Sequence, residues 1–153
     1  MTIKRIMNSS SRIIIEKAAD REHEAYEFYT ENNKRTEIGN LKSIFTKLAI
    51  EELKHERLLR DILTLEDFDK AIEKSNSEHP FQTSVIEDVD PHGNLEFIGD
   101  TLDVAIKMEQ ESFEIYDSQY KIEKSEDLKR LFLFLAKEEA KHKSLLMGIR
   151  EKF

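Results

Sequence analysis

The chain carries one helical pattern twice. Residues 16–63 align without a gap to residues 103–150 at an offset of 87, and 18 of the 48 aligned pairs are identical. In each copy, apolar residues recur at three- and four-residue spacing in two runs separated by a short polar break, which is typical of amphipathic helices folded back as a hairpin. The repeat therefore predicts an all-α fold built from two copies of one helical hairpin.

The predicted organisation is a single domain, because 153 residues with 39% apolar content are enough for one bundle core. Hairpin one covers residues 11–65 and hairpin two covers residues 100–152. The crossover between them, residues 66–99, contains both prolines and is long enough to connect helix two to a parallel helix three. We expect a short helix around Glu66 to Lys74 within it.

Local signals place the ends of the four main helices. Helix one is predicted from about Ser11 to Lys34, and helix two ends near Thr64. Asp100-Thr101 offers side-chain oxygens for the start of helix three, and Ser125 is a predicted N-cap for helix four.

Several ionisable residues fall on the apolar faces. Glu22 lies three residues after Ala19 and three before Ala25, so it should point into the bundle, whereas Glu24 has mostly charged helical neighbours and should point outward. The same test directs the following residues inward: Glu52, His55, Glu109, Glu139 and His142.

These six residues are predicted to converge near the middle of the bundle. Each glutamate lies about 15 residues from a predicted turn, near residue 37 or residue 124, so all four carboxylates should meet at one level. Four buried carboxylates need compensating charge, and two divalent cations would cancel them with both histidines neutral. The sequence therefore predicts a two-metal site whose ligands and candidate catalytic residues are Glu22, Glu52, His55, Glu109, Glu139 and His142.

Two tyrosines and three further histidines have weaker sequence evidence for a place in the metal site. Tyr29 and Tyr116 lie two turns beyond Glu22 and Glu109 on the same faces, where a phenol could donate a hydrogen bond to a ligand carboxylate, although core packing alone would also explain them. The other three histidines are predicted to be surface groups and not ligands: His23, His79 and His92.

Composition excludes several classes of function. The chain has no cysteine, so a metal must be held by oxygen and nitrogen, and disulfides and iron–sulfur clusters are excluded. The net charge of −8 disfavours a nucleic-acid partner. No stretch of 18 apolar residues occurs, so no membrane association is expected and the cytoplasm is the predicted location.

The four ligand-bearing segments resemble the rubrerythrin branch of the ferritin-like superfamily. They are residues 22–29, 49–59, 109–116 and 136–146, and they match that family in the type and order of six ligands. The resemblance implies a ferritin-like four-helix bundle with a long crossover, two bound iron ions, and reduction of hydrogen peroxide or dioxygen in protection against oxidative stress.

Two features differ from typical members of that family. This chain has no cysteines for the rubredoxin domain that usually delivers electrons, so the resemblance covers the bundle domain only and implies a separate electron-donor protein. Ser112 stands where those proteins carry an additional glutamate, three residues after the ligand of the third helix.

The leading hypothesis is a di-iron oxidoreductase in which Glu52 and Glu139 bridge the metals, Glu22 and Glu109 bind terminally, and each histidine binds one metal. Manganese or a mixed-metal pair is also compatible with carboxylate and imidazole ligands. The alternative functions are a non-catalytic iron-binding or storage protein, a ferroxidase, or a structural bundle with a decayed site. A homodimer is expected from the apolar crossover residues Phe81, Val85 and Ile86.

Overall fold

The protein is all-helical throughout the part that its computed structural model describes, residues 7–64, 68–77 and 95–153. Its helices are α1 (Ser9–Arg35), α2 (Gly39–Thr64), α3 (Phe68–Ser77), α4 (Leu95–Ile122) and α5 (Glu126–Arg150). No β-strand occurs in those three ranges, and none of these helices is long and apolar enough to span a bilayer. The predicted all-α fold class is confirmed.

Side-chain hydrogen bonds lie at both ends of α1, the first helix of the first hairpin. The Asn8 side chain accepts a hydrogen bond from the backbone N–H of Ser11 at 2.8 Å, which satisfies one of the free amides of the first turn. At the other end, the Thr36 hydroxyl donates to the carbonyl of Asn32 at 2.7 Å. Three residues, 36–38, then separate α1 from α2, so the turn predicted near residue 37 is confirmed.

The second hairpin turns where its N-cap was predicted. The Ser125 hydroxyl accepts a hydrogen bond from the backbone N–H of Leu128 at 3.3 Å, and Glu126 and Asp127 lie in the positively polarised first turn of α5. The predicted N-cap and the turn near residue 124 are both confirmed.

The predicted start of the third main helix was wrong. Helix α4 begins at Leu95 and continues through Asp100 and Thr101, which therefore do not cap it. The apolar stripe extends further back than the local signal suggested, because Ile98 is buried one turn before Leu102. Burial of this additional turn outweighs the local preference of Asp and Thr for a helix end.

The crossover contains the predicted short helix, here α3, which packs against α2. Ala71 is buried at that contact, and Lys74 lies 3.5 Å from Asp61 of α2. The remaining predictions for the crossover concern residues outside the described ranges: His79, His92, and the apolar residues Phe81, Val85 and Ile86.

Contacts between side chains define how the two hairpins lie. Tyr29 of α1 contacts Glu109 of α4, and Tyr116, seven residues further along α4, contacts Glu22, seven residues earlier in α1, so these helices are antiparallel. Helices α2 and α5 are antiparallel as well, because His55 contacts Glu139 whereas Glu52, earlier in α2, contacts His142, later in α5. Because each hairpin is itself antiparallel, α2 and α4 run parallel, as a long crossover requires.

The core is divided into two apolar clusters along the bundle axis. One contains residues near the start of α1, the end of α2 and the start of α5; the other contains residues near the turn of the first hairpin and the end of α5. Leu59 and Phe132 belong to the first cluster, and Phe45 and Leu146 belong to the second. The layer between the clusters is polar, and it holds the six predicted ligands.

Candidate metal centre

All six predicted ligand residues are buried at the middle of the bundle. Each exposes at most 2% of its surface. They are Glu22 from α1, Glu52 and His55 from α2, Glu109 from α4, and Glu139 and His142 from α5. These polar residues point inward because they occupy positions on the apolar stripes. Glu24, which lies off the stripe, is exposed, as predicted.

The six side chains form two overlapping groups of potential metal ligands. One group is Glu22, Glu52, His55 and Glu139, and the other is Glu52, Glu109, Glu139 and His142; within each, one ligand atom per residue lies within 4.8 Å of the others. Glu52 and Glu139 belong to both groups. Two adjacent cation positions that share two carboxylates are the arrangement expected of a carboxylate-bridged pair.

The histidines reach across from one hairpin to the other. His55 Nδ1 lies 3.0 Å from Glu139 Oε1, and His142 Nδ1 lies 2.8 Å from Glu52 Oε1. The two imidazole rings are stacked, with centroids 5.9 Å apart and planes inclined by 18°. These matched contacts relate the two halves of the site by an approximate two-fold axis, as the sequence repeat requires.

The histidines also approach the glutamates that belong to one group only. His55 Nδ1 is 3.6 Å from Glu22 Oε2, and His142 Nδ1 is 3.6 Å from Glu109 Oε1. Each imidazole therefore lies between one shared carboxylate and one unshared carboxylate.

Both tyrosines donate hydrogen bonds to glutamates of the opposite hairpin. Tyr29 Oη donates to Glu109 Oε1, and Tyr116 Oη donates to Glu22 Oε1, each at 2.6 Å. Tyr29 does not reach Glu22 in its own helix because seven residues correspond to about 10 Å of rise. The antiparallel neighbour brings the other glutamate to the height of the phenol, so each hairpin completes the other's half of the site.

We expect Tyr29→Phe and Tyr116→Phe each to weaken metal binding by about tenfold, because each change removes a hydrogen bond that orients a ligand carboxylate. Competition with a metal-binding dye measures the affinity. Tyr26→Phe is a matched control for Tyr29, because Tyr26 lies in the same helix and packs against the second apolar cluster. An unchanged affinity in both site variants would show that the phenols serve packing alone.

Burial and mutual repulsion act most strongly on the two shared carboxyl groups. Burial raises the pKa of Glu52 and that of Glu139 well above the ordinary glutamate value, and the neighbouring charges of Glu22 and Glu109 raise both further. Without a cation, these groups favour the protonated form. Protons then partly replace the positive charge that this layer needs.

The unshared carboxyl groups are held in their ionised form. Although burial acts to raise the pKa of Glu22, the charge of His55 and hydrogen bonds with Glu52, His55 and Tyr116 outweigh it and lower the pKa to about 2. Burial likewise acts to raise the pKa of Glu109, but hydrogen bonds with Glu139, His142 and Tyr29 and the charge of His142 outweigh it and lower the pKa. The layer thus separates its four acids into two kinds.

The donor set fits a pair of divalent cations. The Oε2 atoms of Glu22, Glu109 and Glu139 are buried and accept no hydrogen bond from any described residue. A buried oxygen without a donor costs free energy, and bound cations in this layer would explain all three such atoms. The absence of cysteine leaves the oxygen and nitrogen donors that iron and manganese accept.

Two further features lie near the ligand layer, one that was predicted from the sequence and one that was not. His23 is partly exposed between Glu56 and Glu27, at 2.9 Å and 2.8 Å, and it lies outside the ligand groups, as predicted. A third group, Glu51 and Glu138 with His55, was missed, although the repeat places an identical glutamate before each shared ligand.

The third group differs from the first two because lysines neutralise its carboxylates. Lys54 lies 3.7 Å from Glu51, and Lys141 lies 3.3 Å from Glu138. These contacts, related by the same offset of 87, account for both carboxylates without a cation.

Comparison with known families identifies the family to which the chain is similar. The Rubrerythrin family model matches residues 14–148, a range that includes all six buried ligand candidates and both tyrosines. Comparisons with curated proteins and with solved structures gave no match. The repeat, the bundle and the family match over nearly the whole chain lead to one conclusion: this chain belongs to the rubrerythrin family.

Proposed function

We propose that the protein is a di-iron oxidoreductase that reduces hydrogen peroxide, or dioxygen, at a carboxylate-bridged dinuclear site. The observation that carries this proposal is the sharing of Glu52 and Glu139 between two groups of buried ligands. A site for one cation would need only one such group. Two positions in contact through common carboxylates suit chemistry that transfers two electrons.

The proposed roles follow from position. Glu52 and Glu139 would be shared by the two metals, Glu22 and Glu109 would each bind one metal, and each histidine would supply one nitrogen. Two divalent cations cancel the four carboxylate charges while both imidazoles remain neutral. Iron is the metal we propose, and manganese or a mixed pair fits the same donor atoms.

A pair of ferrous ions bound by these residues would supply the two electrons that, with two protons, convert one hydrogen peroxide molecule to two water molecules. The protein's own groups orient the site: Tyr29 and Tyr116 hold the unshared carboxylates by their hydroxyl groups. The apolar clusters on either side keep bulk water from the layer. We propose that a separate electron-donor protein restores the reduced state.

Anaerobic loading with ferrous iron, followed by titration with hydrogen peroxide, tests this function. We expect about two ferrous ions per chain, and about one equivalent of peroxide should oxidise both. With excess reductant, the protein should consume peroxide repeatedly. Metal content and oxidised iron are measured on the same sample, by elemental analysis and by absorbance.

The same titration distinguishes the alternative functions. A storage protein should accumulate many ferric ions per chain, and a ferroxidase should oxidise added ferrous iron without sustained consumption of peroxide. A protein that binds no metal in stoichiometric amount would contradict the proposed centre.

A further inference from the structure

A buried donor without a partner lies beside the metal centre, on Arg21. The guanidinium of Arg21 extends from α1 toward α4, where Nη2 lies 3.5 Å from Ser112 Oγ and 3.9 Å from Glu111 Oε2. Its Nε atom is buried and donates a hydrogen bond to no described residue. An unpaired N–H of a charged group is costly to bury, so this position favours an acceptor in addition to those that the described residues supply.

The position of this donor is level with the ligand layer. Arg21 directly precedes Glu22, and Ser112 follows Glu109 by one helical turn, so the Arg21–Ser112 contact bridges α1 and α4 beside the two unshared carboxylates. The Arg21 side chain is about one-third exposed, so solvent reaches part of it.

The contact breaks the two-fold relation of the repeat. At the offset of 87, the counterpart of Arg21 is Met108 and the counterpart of Ser112 is Ala25, and neither counterpart carries a hydrogen-bond donor. The ligands themselves are matched in both halves. Packing alone would not require a cation and a hydroxyl on one side and apolar groups on the other.

Charge decides which kind of ligand this place suits. The chain has a net charge of −8, which repels a small anion that approaches the protein. A guanidinium beside the centre lowers that barrier locally. Glu111 competes only weakly, since its carboxylate is nearly half exposed and 3.9 Å away.

We infer that Arg21, together with Ser112, binds a small monoanion between α1 and α4, beside the metal centre. The Nε–H donates to the anion, and the Ser112 hydroxyl supplies a second donor. This inference rests on the proposed di-iron function and adds to it a site for an anionic ligand of the centre. The two halves of the centre are then unequal, with the anion favoured on one side.

Azide binding to the iron-loaded, oxidised protein tests the inference, because azide is a small monoanion whose binding to ferric iron is followed by absorbance. We expect Arg21→Gln to weaken azide binding about tenfold or more, since a charge-assisted hydrogen bond is lost. Ser112→Ala should weaken it about two- to threefold while preserving the charge and the fold. Iron content should stay equal to that of the unaltered protein in both variants.

Arg12→Gln is the matched control, because it removes the same charge from a similarly exposed side chain of α1 that lies nine residues before Arg21. Azide affinity should be unchanged in that variant. Equal azide affinity in the Arg21→Gln protein, an equal loss in the Arg12→Gln protein, or a loss of iron in the Arg21→Gln protein would each overturn the inference. If Arg21→Gln does not fold, an unchanged affinity in Ser112→Ala overturns it.

Failure of the underlying function gives a different result. An unaltered protein that holds no iron pair would defeat the proposed function before azide is added. A full iron pair with azide binding indifferent to Arg21 and Ser112 would defeat only the inference.

Discussion

Replacing both shared glutamates, in the Glu52→Ala/Glu139→Ala protein, should abolish binding of both metal ions. Each carboxylate belongs to both ligand groups, so its removal takes a ligand from each cation position at once. The remaining glutamates and histidines leave each position with one carboxylate and one imidazole, too few for tight binding of a divalent cation. Anaerobic ferrous loading with elemental analysis should show a fall from about two ions per chain to none.

A matched control removes two other carboxylates that the repeat relates. Glu27 and Glu114 are equivalent at the offset of 87, and both are exposed. Glu27→Ala/Glu114→Ala changes the net charge by the same amount and should retain both ions and the response to peroxide. Undiminished metal binding in the Glu52→Ala/Glu139→Ala protein would refute the site assignment itself.

The second large effect concerns the protein without metal. Glu52→Gln/Glu139→Gln should stabilise the metal-free protein by about 2 to 4 kcal/mol, since it removes two buried acids while preserving their shape. For a chain of this size, that corresponds to a rise in Tm of about 5 to 10 °C. Thermal unfolding followed by circular dichroism in the presence of a chelator measures it. The same variant should gain no stability from added ferrous iron, whereas the unaltered protein should gain several degrees.

The effect should depend on pH with a defined sign. The pKa values of Glu52 and Glu139 are raised by burial and by neighbouring charge, so their contribution to stability is present below the unfolded-state value of 4.5 and is lost as the pH rises through the folded-state pKa. Glu22, with a pKa of about 2, acts oppositely, but its contribution changes only between 4.5 and about 2. Above pH 4.5, the metal-free unaltered protein should therefore lose stability as the pH rises.

Two measurements check that sign. The difference in Tm between the double glutamine variant and the unaltered protein should be larger at about pH 8 than at about pH 5. The stabilisation of the unaltered protein by metal should increase over the same interval, because cations compete with protons for the shared carboxylates. A variant whose advantage is constant with pH would show that repulsion between ionised glutamates is not the cause.

The repeat made much of the architecture predictable. The apolar periodicity predicted most ends of α1, α2 and α5 to within about two residues, because the capping residues and the apolar stripes indicate the same boundaries. The inward orientation of Glu22 and Glu52 followed from the same stripes, since a residue on the apolar face of a helix points into the core. Ser125 was predictable because an N-cap depends on neighbouring residues alone.

The start of α4 was not predictable by the same means. Asp100 and Thr101 are good capping residues, and the local pattern favoured a start there. The helix nevertheless extends to Leu95, because Ile98 finds a buried place against the rest of the second apolar cluster. Whether an additional turn is stable depends on what it packs against, and the local sequence does not contain that information.

The sequence by itself determined which acids and imidazoles face inward and at what height, because helical periodicity and the length of each arm fix both quantities. Only the tertiary structure decided which groups meet across the bundle. Tyr29 donates to Glu109, Tyr116 donates to Glu22, and Arg21 reaches Ser112, each joining α1 to α4. Such contacts depend on the relative placement of two antiparallel helices, which is set by packing of the whole core and not by the spacing within either helix.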